Sequence, residues 1–411
     1  MAFMVARWGV DLPHWDQWEL VPLLEKDRAG DVTLADLAAQ HNEHRLLFPR
    51  LLMLSLARVS HWNVRWELMT HVLLAAAIFA AAASMALKVE RGGWLPPALS
   101  LLVFSPAQWE NWAWGWQSQV FLAVAGSLGA VAILARFGGR WTGTLGAALP
   151  AFVATFSYAN GLLIWVLALP LVARRAEGRW VRVGLWMTAA AATLALFFAG
   201  YRSPQSLPDA GLLDPHRLKL FGGYVSLYLG SPVFGFHGQL ALYGGFLAVV
   251  GFAALVVFGL RREPGRFADL LPWLTVASVA VASAVLTASG RLDEGLHQAL
   301  TPRYMTFANL FWIGLLGCLA VLRPWSDPPP SAPSRRKMAV AAALLVALAW
   351  GANAVHGWNV FRAQHGERSP VRQALIDGED VDLTRLYPDE SVVAQRLETL
   401  RALRYSLFRG P

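Results

Sequence analysis

YMTFANLFWIGLLGCLAVL, residues 304–322, runs 19 positions without a charged side chain. A helix of that length covers about 28 Å, close to the ~30 Å hydrocarbon core of a bilayer. Similar apolar runs occur at 68–87, 94–107, 119–135, 142–157, 161–173, 183–200, 239–260, 267–290 and 338–356. The chain is 56% hydrophobic, with a mean hydropathy of +0.42, more than a soluble protein of 411 residues requires. The runs are continuous rather than alternating in ~10-residue segments, which argues against a transmembrane β-barrel. The expected fold is an all-α, polytopic helical bundle of about ten spans.

The segments between the runs sort into two alternating sets. One holds Lys88 and Arg91, Arg136 and Arg140, Arg174 to Arg182, Arg261 to Arg266, and Arg323 to Lys337. The other, at 108–118, 158–160, 201–238 and 291–303, has few or no basic residues. The positive-inside rule assigns the first set to the cytoplasm. Residues 1–67 and the tail then lie outside, as in a protein of the bacterial inner membrane. The net charge of +8 is thus a topology signal and implies no nucleic-acid partner. Cys318 is the single cysteine, so no intrachain disulfide can form.

Three regions are expected: an external first loop at 1–67 with amphipathic helices, a membrane domain at 68–356, and an external C-terminal tail at 357–411. Residues 1–10 read as the last turns of a first span that the sequence otherwise lacks. Residues 325–337 are a Pro/Ser linker. The tail carries Val392, Val393, Leu397, Leu400 and Leu403 at helical spacing, predicting one or two helices that pack on the membrane domain. Residues 222–236 read as a segment that re-enters the membrane or lies on it.

Candidate chemistry collects in the external segments. Trp15-Asp16-Gln17-Trp18-Glu19 sets carboxylates among tryptophans, where partial desolvation raises basicity; the alternative is an aromatic belt with solvated acids. Asp11 is a weaker candidate of the same kind. In His41-Asn42-Glu43-His44-Arg45, a helix would put His41, His44 and Arg45 on one face. His-x-x-His alone supplies too few zinc ligands and departs from the i,i+4 spacing of helical zinc sites. Arg45 and Arg50 could instead hold a phosphate while Glu43 takes a hydroxyl, or the cluster could simply cap the following helix. Residues 108–117 interleave Glu110, Asn111 and Gln117 with four tryptophans, a composition suited either to a sugar or to a membrane belt. Asn160-Gly161 is a turn signal. Arg202, Arg291 and Arg303-Tyr304 put cations on the external side, against the positive-inside bias. Snorkelling suffices for Arg202, whereas Arg303 points to phosphate binding.

The layout resembles the GT-C superfamily of integral-membrane glycosyltransferases, including bacterial members of unassigned substrate. The likeness rests on residues 15–19, on HNEHRLLFPRLL at 41–52, and on Pro302-Arg303-Tyr304 before a late span. It implies a polyprenyl-phosphate sugar donor and an acidic catalytic base in the first external loop, matched here by Asp16. Arg303 would bind the carrier phosphate. Two features depart from the pattern. The first span is absent, and Asp16 and Glu19 replace the adjacent Asp-Glu pair of protein mannosyltransferases.

The resulting expectation is an inverting glycosyl transfer to a glycan, lipid or other envelope acceptor at the outer face. Asp16 would be the base, and Arg303, with Arg45 or Arg202, the phosphate clamp. Glu19, Glu43, Glu110, Asn111 and Tyr304 would complete the substrate site. The sequence demands no cofactor, although Asp16, Glu19 and Glu43 could offer oxygen ligands to a divalent cation. A lipid-linked saccharide transporter would instead place ionisable residues inside the spans, where His71 is the clearest. A non-catalytic assembly protein is the third reading.

Overall fold

A computed structural model describes residues 1–90, 93–203, 214–322 and 333–409; most of the linker expected at 325–337 lies outside them. Among the described residues, seven helical stretches are long and apolar enough to cross a membrane: Val64–Val89, Gly115–Phe137, Arg179–Phe198, Gly238–Arg262, Pro264–Glu294, Pro302–Leu322 and Val340–Asp377. The protein is therefore an all-α, multi-pass membrane protein by length and composition.

The chain opens with α1 (Ala2–Trp8), a 3-10 turn (Trp15–Leu20) and α2 (Val21–Ala29). Two short strands follow, β1 (Gln40–His41) and β2 (His44–Arg45), then α3 (Leu47–Ser60) and the first long span, α4 (Val64–Val89). The bundle continues with α5 (Leu95–Val103), α6 (Ser118–Phe137), α7 (Trp141–Thr155), α8 (Arg179–Phe198), α9 (Pro215–Phe234), α10 (Gly238–Arg262), α11 (Phe267–Arg291) and α12 (Met305–Leu322). It ends with α13 (Pro333–Asp377) and α14 (Glu390–Leu403).

Three expected spans are not single membrane-length helices. The run at 94–107 stops at Val103, because Pro106 follows and cannot extend the helix. The chain then turns through short helical pieces until Ser118. The run at 161–173 is split at Ala168 by Pro170, into Leu163–Leu167 and Leu169–Ala173. The run at 142–157 is α7, 15 residues with Pro150 inside. It packs closely on α6: a Cβ at Gly126 would lie 2.4 Å from the Pro150 carbonyl oxygen, so only glycine permits this approach.

α9 packs against the first half of α10, where a Cβ at Gly230 would lie 2.1 Å from the Ala241 carbonyl oxygen and one at Gly245 1.9 Å from that of Ser226. Arg217, in the first turn of α9, pairs with Asp293, and near its other end Asn353 Nδ2 donates to the carbonyls of Ser231 and Pro232. Both sets of partners belong to the same end of the bundle as Arg303. The basic segments meet at the opposite end, where Lys88, Arg174 and Arg266 line one cavity.

α13 is one helix of 45 residues, about 68 Å long, and it continues past the bilayer thickness without a break at Gly357. The tail packs mainly on the first loop rather than on the spans. Leu12, Trp18, Leu24, Met53, Val393, Leu397, Leu400 and Leu407 share one buried core, separate from that of the bundle. Residues from 10–64 and 371–408 thus share one packed unit seated on the helices.

Candidate functional site

A cavity of about 610 Å³ opens between this unit and the bundle. Asp16 lies on its wall, in the 3-10 turn. The turn is fastened on both sides. Trp15 N donates to the Leu386 carbonyl at 2.8 Å, and the His14 carbonyl accepts from Trp114 Nε1 at 2.7 Å. Trp15 sits at φ 48°, a conformation bulky residues rarely adopt and one that these fastenings maintain. Next to Asp16, Gln17 Nε2 donates to Glu67 Oε2 at 2.7 Å. Glu67 is fully buried at the start of α4 and accepts also from Trp62 Nε1 at 2.8 Å. Gly115 lies against the pair: a Cβ there would come within 2.0 Å of Glu67 Oε2. One Asp16 oxygen is 3.7 Å from His41 Nε2, and the His41 ring meets the edge of Trp116.

Glu43, Arg291, Arg303 and Tyr304 line the same cavity. Glu110 holds Arg303 by both ends: Arg303 Nη1 donates to Oε1 at 3.1 Å and Arg303 N to Oε2 at 3.3 Å. The Asn111 amide donates to the Arg303 carbonyl at 3.1 Å and to Thr306 Oγ1 at 2.6 Å. Glu110 and Asn111 therefore set the position of Arg303 instead of facing a substrate. Tyr304 stacks on Tyr228 with ring centroids 5.6 Å apart. Arg291 pairs with Glu294 at 2.6 Å, while Glu43 lies 3.8 Å away and also near His44.

His44 lies against Tyr158, ring centroids 3.9 Å apart, and its Nδ1 accepts from the Ala159 amide at 3.2 Å. Burial lowers its pKa to about 4, so the ring is neutral at pH 7. The Asn160-Gly161 turn thus serves to bring Ala159 and Tyr158 against the hairpin.

Several sequence expectations change. Residues 40–45 form a β-hairpin, not a helix, with Asn42 at φ 50° in its turn. Arg45 is consumed by carbonyls: its guanidinium donates to Phe197 at 2.5 Å, to Ala38 at 3.0 Å and to Ala199. Arg50 donates to the carbonyls of Asp36, Leu37 and Ala39. Neither is placed to clamp a phosphate. Glu19 faces the tail, where both its oxygens accept from Arg396 and Oε1 also from the Tyr387 hydroxyl. These donors hold its carboxyl below the usual range, outweighing the opposing effect of partial burial. The Arg202 backbone latches to the Gln40 side chain through two hydrogen bonds. Asp11 is buried, caps Val64 N at 2.8 Å and pairs with Arg409 at 2.5 Å; burial raises its pKa.

Among the described residues no three His, Cys, Asp or Glu side chains cluster as metal ligands, and the Asp16–Glu19–Glu43 set is not assembled because Glu19 turns to Arg396. Sequence reasoning missed Glu67, His41 as partner of Asp16, and Tyr158 as a wall. A carboxylate inside the first turn of a span was a usable signal for Glu67. No family model, curated protein or solved structure matches this chain.

Proposed function

We propose that this protein is a GT-C-type inverting glycosyltransferase, moving a sugar from a polyprenyl-phosphate donor to a hydroxyl of an envelope acceptor. One observation carries the reading: a single cavity at one end of a multi-span bundle holds an aspartate, two arginines and aromatic walls. Each part has a task in such a transfer. The Asp16 carboxylate takes the proton of the acceptor hydroxyl. The acceptor oxygen then bonds to the anomeric carbon from the face opposite the phosphate. The anomeric carbon–oxygen bond breaks, and its electron pair leaves on the phosphate, held by Arg303 and Arg291. Trp15, Trp114, Tyr158 and Tyr201 put aromatic rings on the cavity lining for sugar C–H groups, and Leu162, Leu163 and Leu286 give the prenyl chain an apolar approach. A divalent cation taking part in the transfer would find Asp16 and Glu43 as the carboxylates lining this cavity.

This reading sets the protein in the bacterial inner membrane with the cavity at the outer face. Cells carrying Asp16→Asn, profiled for lipid-linked sugars and envelope glycans beside wild type and a deletion, test it. The expected result is the deletion phenotype, with one polyprenyl-phosphate sugar accumulating and one glycan losing a residue. A deletion that leaves every glycan unchanged would sink the reading.

A further inference from the structure

At the opposite end of the bundle lies a second cavity, of about 410 Å³. Lys88, Arg174 and Arg266 line it, with Asp269 as the one acid among the described residues of the wall. Met85 and Trp273 contribute apolar surface to the same walls. These residues come from four separate segments: the end of α4, the turn before α8, the turn before α11, and α11 itself. A solvated basic loop does not require such convergence.

The cations retain unused donors. Lys88 stands on the cavity lining with Arg174. Arg174 spends Nη2 on the carbonyls of Leu134 and Ala135, at 3.2 and 3.0 Å, and its buried Nε has no partner. Arg266 bonds Glu263 through Nε at 2.9 Å. Arg136 and Arg175 lie close enough to add their charge to the site. With Asp269 and Glu263 both counted, positive charge still dominates.

We infer that this cavity is a phosphate-binding site whose occupant is the headgroup of an anionic phospholipid in the arginine-rich leaflet. The polar rim would take the phosphate oxygens by charge-assisted hydrogen bonds, and the apolar wall would take the glycerol and upper acyl chain. A free phosphate ion has the same chemistry, but it would leave the apolar wall uncovered. The site is remote from the Asp16 cavity and stands whether or not that cavity transfers sugar.

Native mass spectrometry of the purified full chain, titrated with phosphatidylglycerol or phosphatidylcholine, tests the inference. Each surface cation is worth about 1 kcal/mol toward an anionic lipid, so Lys88→Gln with Arg266→Gln should weaken phosphatidylglycerol binding roughly 25-fold. Phosphatidylcholine binding should not change. Asp269→Asn should strengthen phosphatidylglycerol binding about fivefold, a gain that misfolding cannot produce. Inorganic phosphate added alone should neither bind nor compete at millimolar concentration. Competition by phosphate that the double variant abolishes would keep the anion site but overturn the lipid as its occupant. Equal phosphatidylglycerol retention by wild type, the double variant and Asp269→Asn would overturn the site itself.

Discussion

Glu67→Ala removes a carboxylate that ties the Asp16 turn to the bundle, and its cost follows from two hydrogen bonds. Gln17 Nε2 at 2.7 Å and Trp62 Nε1 at 2.8 Å both donate to Glu67, which is fully buried. Alanine strands both donors away from water, at about 1–3 kcal/mol each, and leaves a void besides. The expected loss is about 3–5 kcal/mol. Gly115→Ala attacks the same volume from the other side, since its Cβ would sit 2.0 Å from Glu67 Oε2 and 2.4 Å from Gln17 Nε2. Alone it should cost about 1–3 kcal/mol through overpacking. Combined with Glu67→Ala, the new methyl enters space the carboxylate has vacated. The double variant should therefore be more stable than the sum of the two losses, by about 1–2 kcal/mol. Unfolding of the four proteins in mixed micelles, followed by tryptophan fluorescence, measures the cycle. Additivity within about 0.5 kcal/mol would refute the shared packing of Glu67, Gln17 and Gly115.

Other consequences concern the unit that the first loop and the tail share. Glu19 and Arg396 should couple by about 1 kcal/mol in a double-mutant cycle, because the pair is bidentate but partly exposed; protease susceptibility of the tail reads the loss. Arg409→Ala leaves buried Asp11 with the Val64 amide and the neighbouring Arg372 charge and should cost about 2–3 kcal/mol, whereas Asp11→Asn with Arg409→Ala should recover part of it. For His44, burial lowers the folded pKa to about 4 against 6.5 when unfolded. The folded state then binds fewer protons between those values, so this group's stability contribution is intact above pH 6.5 and falls as pH drops toward 4, by up to about 3 kcal/mol. Thermal unfolding of His44→Gln should lack that slope.

Long uninterrupted apolar runs such as 304–322 were readable as helices, because nothing in them offers the backbone an alternative. Short runs misled where proline divides them: Pro106 and Pro170 give helices too short to span. The hairpin at 40–45 hid behind helix-compatible residues, its turn depending on a left-handed Asn42. In the site, Asp16, Glu43, Arg303 and Tyr304 were legible as charged or aromatic groups where topology disfavours them, and all four line one cavity. Glu19, Arg45 and Arg202 carried the same local signal but face other partners. Arg396 lies 377 positions from Glu19, and Phe197 and Gln40 lie more than 150 from Arg45 and Arg202, distances over which local pattern carries no information.

The central claim is that the Asp16 cavity deprotonates a hydroxyl and transfers sugar to it. Its most direct test uses the full chain in proteoliposomes, supplied with a radiolabelled polyprenyl-phosphate sugar extracted from cells that lack the protein, together with membrane acceptors from the same cells. Wild type should move label from donor to acceptor. Asp16→Asn should bind the donor but transfer at least 100-fold more slowly, as expected when a general base is lost. Transfer by Asp16→Asn at the wild-type rate would contradict the account.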